Sequence, residues 1–190
     1  MITALALAVS LQTLQAEPPL LCGVMGSPTK ATSPAEMIAG IRFPVCCPGC
    51  DTKLKNEPAK YLKAAVESGR TIGEFLFDPV SGSRIKDSKV YADHKGIRYR
   101  FASEANLKTF QTEPARFATA PAKETLTCPV MGVKVADYSK AGGFVDHNGV
   151  RMFICCPGCL GKLKAEPAKF AASAKDIKTA PLTFGVKTEG

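Results

Sequence analysis

Eight cysteines stand in this 190-residue chain as two sets of four that share their order and context. Cys22 opens Cys-Gly-Val-Met25-Gly26, and Cys128 opens Cys-Pro-Val-Met131-Gly132. Downstream of them lie Cys46-Cys47-Pro48-Gly49-Cys50 and Cys155-Cys156-Pro157-Gly158-Cys159. Soft thiolates drawn from separated stretches suit Zn2+, Cu(I) or another soft cation. Two ions per chain are therefore expected, one on Cys22, Cys46 and Cys50, the other on Cys128, Cys155 and Cys159. Cys47 and Cys156 stay open between a fourth ligand, a reactive thiol and a helix cap. Met25 and Met131 follow the first Cys of each set by three residues, where a zinc knuckle places its second Cys. A thioether is a poor Zn2+ ligand but an accepted soft donor for Cu(I). The alternative is a Met that fills a gap in the core.

Two other chemistries use the same sulfurs. Cys47-Pro-Gly-Cys50 and Cys156-Pro-Gly-Cys159 are Cys-Xaa-Xaa-Cys pairs at helix starts, a setting for thiol–disulfide exchange. No βαβ pattern of thioredoxin type adjoins either pair, and Cys22 and Cys128 would have no role. Plain structural disulfides fit an even Cys count, although a pair within Cys46-Cys47-Pro-Gly-Cys50 reads as cramped. The two histidines, His94 and His147, share the context Asp-His-Xaa-Gly. His94 lies in a stretch without thiolates, so both read as turn residues rather than ligands.

These residues sit in a threefold repeat. Gly40 to Cys46, Gly96 to Ala102 and Gly149 to Cys155 are each separated by six positions, and Cys50 to Pro58, Asn106 to Pro114 and Cys159 to Pro167 by eight. The middle copy has Asp78, Ala102, Ser103 and Asn106 where the others have Cys, and Ser81 where they have Met. It is expected to bind no metal and to fold as a spacer around Phe101, Phe110 and Phe117. Asn148-Gly149 marks a hairpin turn, and Val150–Ile154 reads as the returning strand. Cys156 and Ser103 fall at N-cap positions. A short helix then carries Leu163 (Leu54 and Phe110 in the other copies), and Pro167 opens a second helix carrying Phe170. The lysines of these helices (53, 55, 60, 63, 162, 164 and 169) read as solvated faces.

Composition narrows the class. Charged residues make up 22% and hydrophobic ones 45%, which argues against wholesale disorder. There is no Trp, and 10 Phe with 4 Tyr suggest several small cores rather than one large one. The formal charge of +8 is spread along the chain, so no nucleic-acid-binding arm is expected. Residues 1–16 read as a signal peptide lacking a basic n-region, with cleavage after Ala16. That predicts a periplasmic or secreted protein with no membrane span in the mature chain.

The pattern of a Cys, some twenty residues, then Cys-Xaa3-Cys at a strand-to-helix junction resembles the YHS/TRASH group of small metal-binding modules. Cys22, Cys46 and Cys50 match it in the first copy, and Cys128, Cys155 and Cys159 in the third. Tyr99–Phe110 looks like YHS variants that lack the Cys set. The resemblance implies an α+β fold of tandem treble-clef-like modules, each a hairpin with one or two short helices. The corresponding boundaries are 17–66, 74–120 and 124–175, with a tail at 176–190. It also implies a role in heavy-metal binding, sensing or trafficking and does not imply catalysis; a carrier or buffer with a metal transporter or metalloenzyme as recipient is the expected role.

Overall fold

The computed structural model describes residues 17–183. The expected signal peptide, residues 1–16, and the end of the tail lie outside them. The first repeat runs β1 (Ala35–Ile38), β2 (Ile41–Pro44), α1 (Cys50–Asn56) and α2 (Pro58–Glu67). The second is led by β3 (Gly73–Phe75) and continues β4 (Tyr91–His94), β5 (Ile97–Arg100), α3 (Glu104–Thr112) and α4 (Pro114–Phe117). The third is led by β6 (Lys123–Thr125) and continues β7 (Gly143–His147), β8 (Val150–Ile154), α5 (Gly158–Ala165) and α6 (Pro167–Ala172). A short β9 (Lys178–Thr179) closes the described chain. The class is α+β, with small sheets and short helices.

The hairpin turn expected at Asn148-Gly149 occurs in all three repeats. Ala39-Gly40, Lys95-Gly96 and Asn148-Gly149 have φ of 51° and 78°, 47° and 79°, and 47° and 72°. Two successive left-handed residues define the type I′ turn, whose twist matches the flanking strands. Only the third pair carries the Asn-Gly signature. The helix pair also recurs, because Pro58, Pro114 and Pro167 each open a second helix at N1, where a missing N–H costs nothing. Leu54, Leu163 and Phe110 are buried as expected.

Ser103 caps α3, its side chain accepting from Asn106 N–H at 3.2 Å. The expected cap at Cys156 is displaced. α5 begins at Gly158 with Pro157 as N-cap, and α1 begins at Cys50 with Gly49, at φ 82°, as N-cap. A left-handed glycine before Cys50 delays the helix and turns the Cys47–Cys50 segment back on itself.

The repeats are stitched together. One sheet has the order β1-β2-β3-β5-β4 and therefore joins the hairpins of the first two repeats through β3. β3 lies antiparallel to β2, with Ile41 opposite Phe75, and parallel to β5, with Gly73 opposite Ile97. The second sheet, β7-β8-β6-β9, repeats the parallel lead-in with β6 beside β8.

A run of rings crosses from the second repeat into the third. Phe75, Phe77 and Phe144 lie 5.5–5.6 Å apart in edge-to-face contact, and Phe77 reaches Phe153 at 5.7 Å. The expectation of separate small cores is corrected here. A single buried cluster unites the first two repeats with Val135, Tyr138, Ala141, Phe144 and Phe153, while only Cys128, Met152, Ile154, Cys159 and Leu163 form a second. Gly82 belongs to this seam. It has φ 67° and sits so close to the Phe144 carbonyl that no Cβ fits, while Phe144 N–H donates to its carbonyl at 2.9 Å.

Candidate metal centres

Each repeat begins with the same tight knuckle. In the first, Cys22 N–H donates to Ser27 O and Gly26 N–H to Cys22 O, at 2.8 and 2.7 Å. The equivalent bonds are Asp78 to Ser83 and Gly82 to Asp78, at 2.9 and 2.7 Å, and Cys128 to Val133 and Gly132 to Cys128, at 2.9 and 2.8 Å. The knuckle's glycine has φ between 67° and 71° in every copy, a conformation that glycine adopts without steric cost. This geometry gathers backbone N–H groups around one buried side chain.

The middle repeat shows what that nest holds. Asp78 is fully buried. Its Oδ1 accepts from Val80 and Ser81 N–H at 2.8 and 3.0 Å, and its Oδ2 from Ala102 N–H at 2.8 Å and Asn106 Nδ2 at 2.6 Å. In the first repeat the backbone N–H groups of Val24, Met25 and Cys46 donate to the Cys22 sulfur at the corresponding positions. In the third repeat Val130, Met131 and Cys155 donate to Cys128. Three convergent N–H groups favour an anion. Burial pushes the Cys22 and Cys128 thiols up, but these hydrogen bonds outweigh it and hold both below the ordinary thiol value.

The other sulfurs close on this anchor. Cys22, Cys46 and Cys50 place their Sγ atoms within 4.8 Å of one another, as do Cys128, Cys155 and Cys159. All six candidate ligands are thus brought together in the two expected groups. Cys22, Cys50, Cys128 and Cys159 are buried, Cys155 is partly buried and Cys46 is exposed. The second group behaves as a crowded set of coupled thiols. Burial and the neighbouring sulfurs push Cys155 and Cys159 up, whereas hydrogen bonds from Cys159 hold Cys156 down. Gathered thiols of this kind are what a soft cation displaces protons from.

The outer cysteines are placed differently. Neither Cys47 nor Cys156 belongs to the three-sulfur groups. Cys156 Sγ lies 3.5 Å from Cys159 Sγ without a bond, whereas Cys47 and Cys50 are joined as a disulfide. The Cα atoms of this pair stand 5.7 Å apart. While that bond exists, Cys50 offers no thiolate. Met25 and Met131 are 62% and 60% exposed, so neither fills a gap in the core. Their backbone N–H groups belong to the nests, and their thioethers face outward.

The histidines lie outside both groups. His94 and His147 end β4 and β7 just before the turns, as turn-adjacent residues should. His94 packs edge-on against Phe110 at 5.9 Å, and burial pushes its imidazole below the ordinary value. The expected lysine faces are exposed. Each centre also opens beside a cleft. Glu36 and Asp51 line the one next to Cys46, about 280 Å³ in volume, whereas Arg84, Lys86 and Lys140 line the one next to Cys155, about 770 Å³. Asp87 also lines the second cleft, so the cleft beside Cys46 is acidic and the one beside Cys155 is mixed with an excess of basic groups.

Sequence comparison places a YHS domain match at residues 76–121, which is the repeat without thiolates. No curated protein matches the chain, and no solved structure does. A YHS domain suggests metal binding, and both three-cysteine groups could hold an ion. Among the described residues no helix is long and apolar enough to cross a membrane.

Proposed function

We propose that this chain is a carrier or buffer of two soft metal ions, Cu(I) or Zn2+, held by its first and third repeats. The observation that carries the reading is the anion nest shared by three copies. In the middle copy it holds a carboxylate, which Asn106 meets as the fourth hydrogen-bond donor. In the outer copies it holds a sulfur, and two further sulfurs take the places of Ala102 and Asn106. A metal ion would occupy the centre that Asn106 fills in the middle copy. The outer repeats are then TRASH-type, treble-clef-like modules, and the middle one is a metal-free brace.

The same reading has the protein exported and delivering metal to a transporter or a metalloenzyme. Cleavage after Ala16 would leave Glu17 first in the mature chain, where its carboxylate pairs with Arg98 and Arg100 at 2.5 and 2.6 Å. The differing charge of the two clefts suits loading and unloading by different partners.

The choice between copper and zinc rests on the methionines. Both thioethers are exposed at the knuckle, so Met25→Leu with Met131→Leu leaves the apo fold and Zn2+ binding nearly unchanged. If the thioethers complete a Cu(I) site, the same double variant binds Cu(I) more weakly in a competition titration of the reduced protein. Equal Cu(I) affinity in the variant and the parent would remove both methionines from the ligand set.

A further inference from the structure

The Cys47–Cys50 disulfide and the first metal centre compete for one sulfur. Cys50 Sγ belongs to the three-sulfur group with Cys22 and Cys46 and is also bonded to Cys47. In the third repeat the equivalent pair is open, with Cys156 Sγ 3.5 Å from Cys159 Sγ. The two repeats therefore present one pair in two oxidation states. Access is also graded. Cys159 is buried and Cys156 exposed, while Cys50 is buried and Cys47 partly exposed. Within each pair the outer sulfur is the more accessible and the inner one is the ligand, although the ligand Cys46 is itself exposed.

We propose that the chain carries out thiol–disulfide exchange at Cys47 and Cys156, and that each exchange expels the metal ion from the adjoining centre. This rests on the metal-binding reading above. The oxidant is a disulfide, either a low-molecular-weight one such as oxidised glutathione or that of a dithiol protein. The outer thiol, as thiolate, attacks one sulfur of the disulfide, so that bond breaks and one thiolate leaves. The inner thiolate quits the metal and attacks the outer sulfur, forming Cys47–Cys50 or Cys156–Cys159 and releasing the second thiolate. Two electrons pass from the cysteine pair to the external disulfide. The proton of the outer thiol goes to solvent or to a released thiolate. The ion, left with two of three cysteine ligands, dissociates, and a dithiol runs the sequence backwards and restores the site.

The test uses the full chain, reduced, loaded with Zn2+ and transferred anaerobically into excess oxidised glutathione, with a chromogenic chelator reporting released zinc. Wild type should lose both ions, and peptide mapping should find Cys47 joined to Cys50 and Cys156 to Cys159. The double variant Cys47→Ser, Cys156→Ser should load two ions and keep them. Release from that variant at the wild-type rate and extent would overturn the proposal. So would zinc loss from wild type with Cys47 and Cys156 mapped as free thiols, an outcome read even if the variant fails to fold. Failure of reduced wild type to load zinc or Cu(I) would instead overturn the metal-binding reading itself.

Discussion

Asp78 and its two cysteine counterparts show how one position sets the character of a repeat. A carboxylate and a thiolate are both anions, and the same three backbone N–H groups receive either one. The sequence marks the exchange of Cys for Asp but not its meaning, because the donors belong to the backbone and carry no side-chain signature. The recurring glycine four residues after the anchor was the available clue. Another residue-scale expectation concerns His94, which is held below the ordinary imidazole value of 6.5 by burial and by Lys95. Its folded form resists protonation, so the unfolded chain takes up more protons once pH drops below that value. The stabilisation is complete above the ordinary value and is lost as pH falls through the lowered one. His94→Gln should flatten this acid limb of a denaturation series collected between neutral pH and pH about 4. An unchanged limb would assign the acid sensitivity elsewhere.

Helices and hairpins were largely legible before the structure. Proline at the start of each second helix, the inward Leu or Phe of each first helix and the Asn-Gly turn followed from propensity and spacing. Ala39-Gly40 was not legible as a turn, since alanine is disfavoured at positive φ and only the surrounding hairpin imposes it. The start of α1 was missed because Gly49 bends the chain before a helix forms. At this scale Asp78 acts as a strut joining the knuckle to the end of β5 and the first turn of α3. Asp78→Ala would strand three backbone N–H groups and the Asn106 amide, all in part-buried hydrogen bonds. Leaving buried donors unpaired costs roughly 1–3 kcal/mol each before relaxation, so a loss of about 3 kcal/mol or more is expected in chemical denaturation. A change under about 0.5 kcal/mol, the range of an ordinary surface substitution, would mean that the strut is dispensable.

The whole molecule departs furthest from what the sequence suggests. Three repeats with few aromatics read as separate small cores, yet Phe75, Phe77, Phe144 and Phe153 bind the second and third repeats together, and β3 splices the first and second into one sheet. Repeats align by internal spacing, whereas contacts between copies leave no periodic trace. Phe77→Ala should therefore weaken all three repeats together, by roughly 3–5 kcal/mol as buried phenylalanine truncations do. Hydrogen exchange that rises only within residues 78–117 would argue for independent units. Metal occupancy is the other property of the whole chain, and it bears on the central claim. Native mass spectrometry with elemental analysis, on reduced protein loaded with Cu(I) or Zn2+, should find two ions per chain, one for each three-cysteine group. Cys22→Ser and Cys128→Ser should each remove one of them. An ion count that both substitutions leave unchanged, or no retained ion in the reduced parent, would contradict the account.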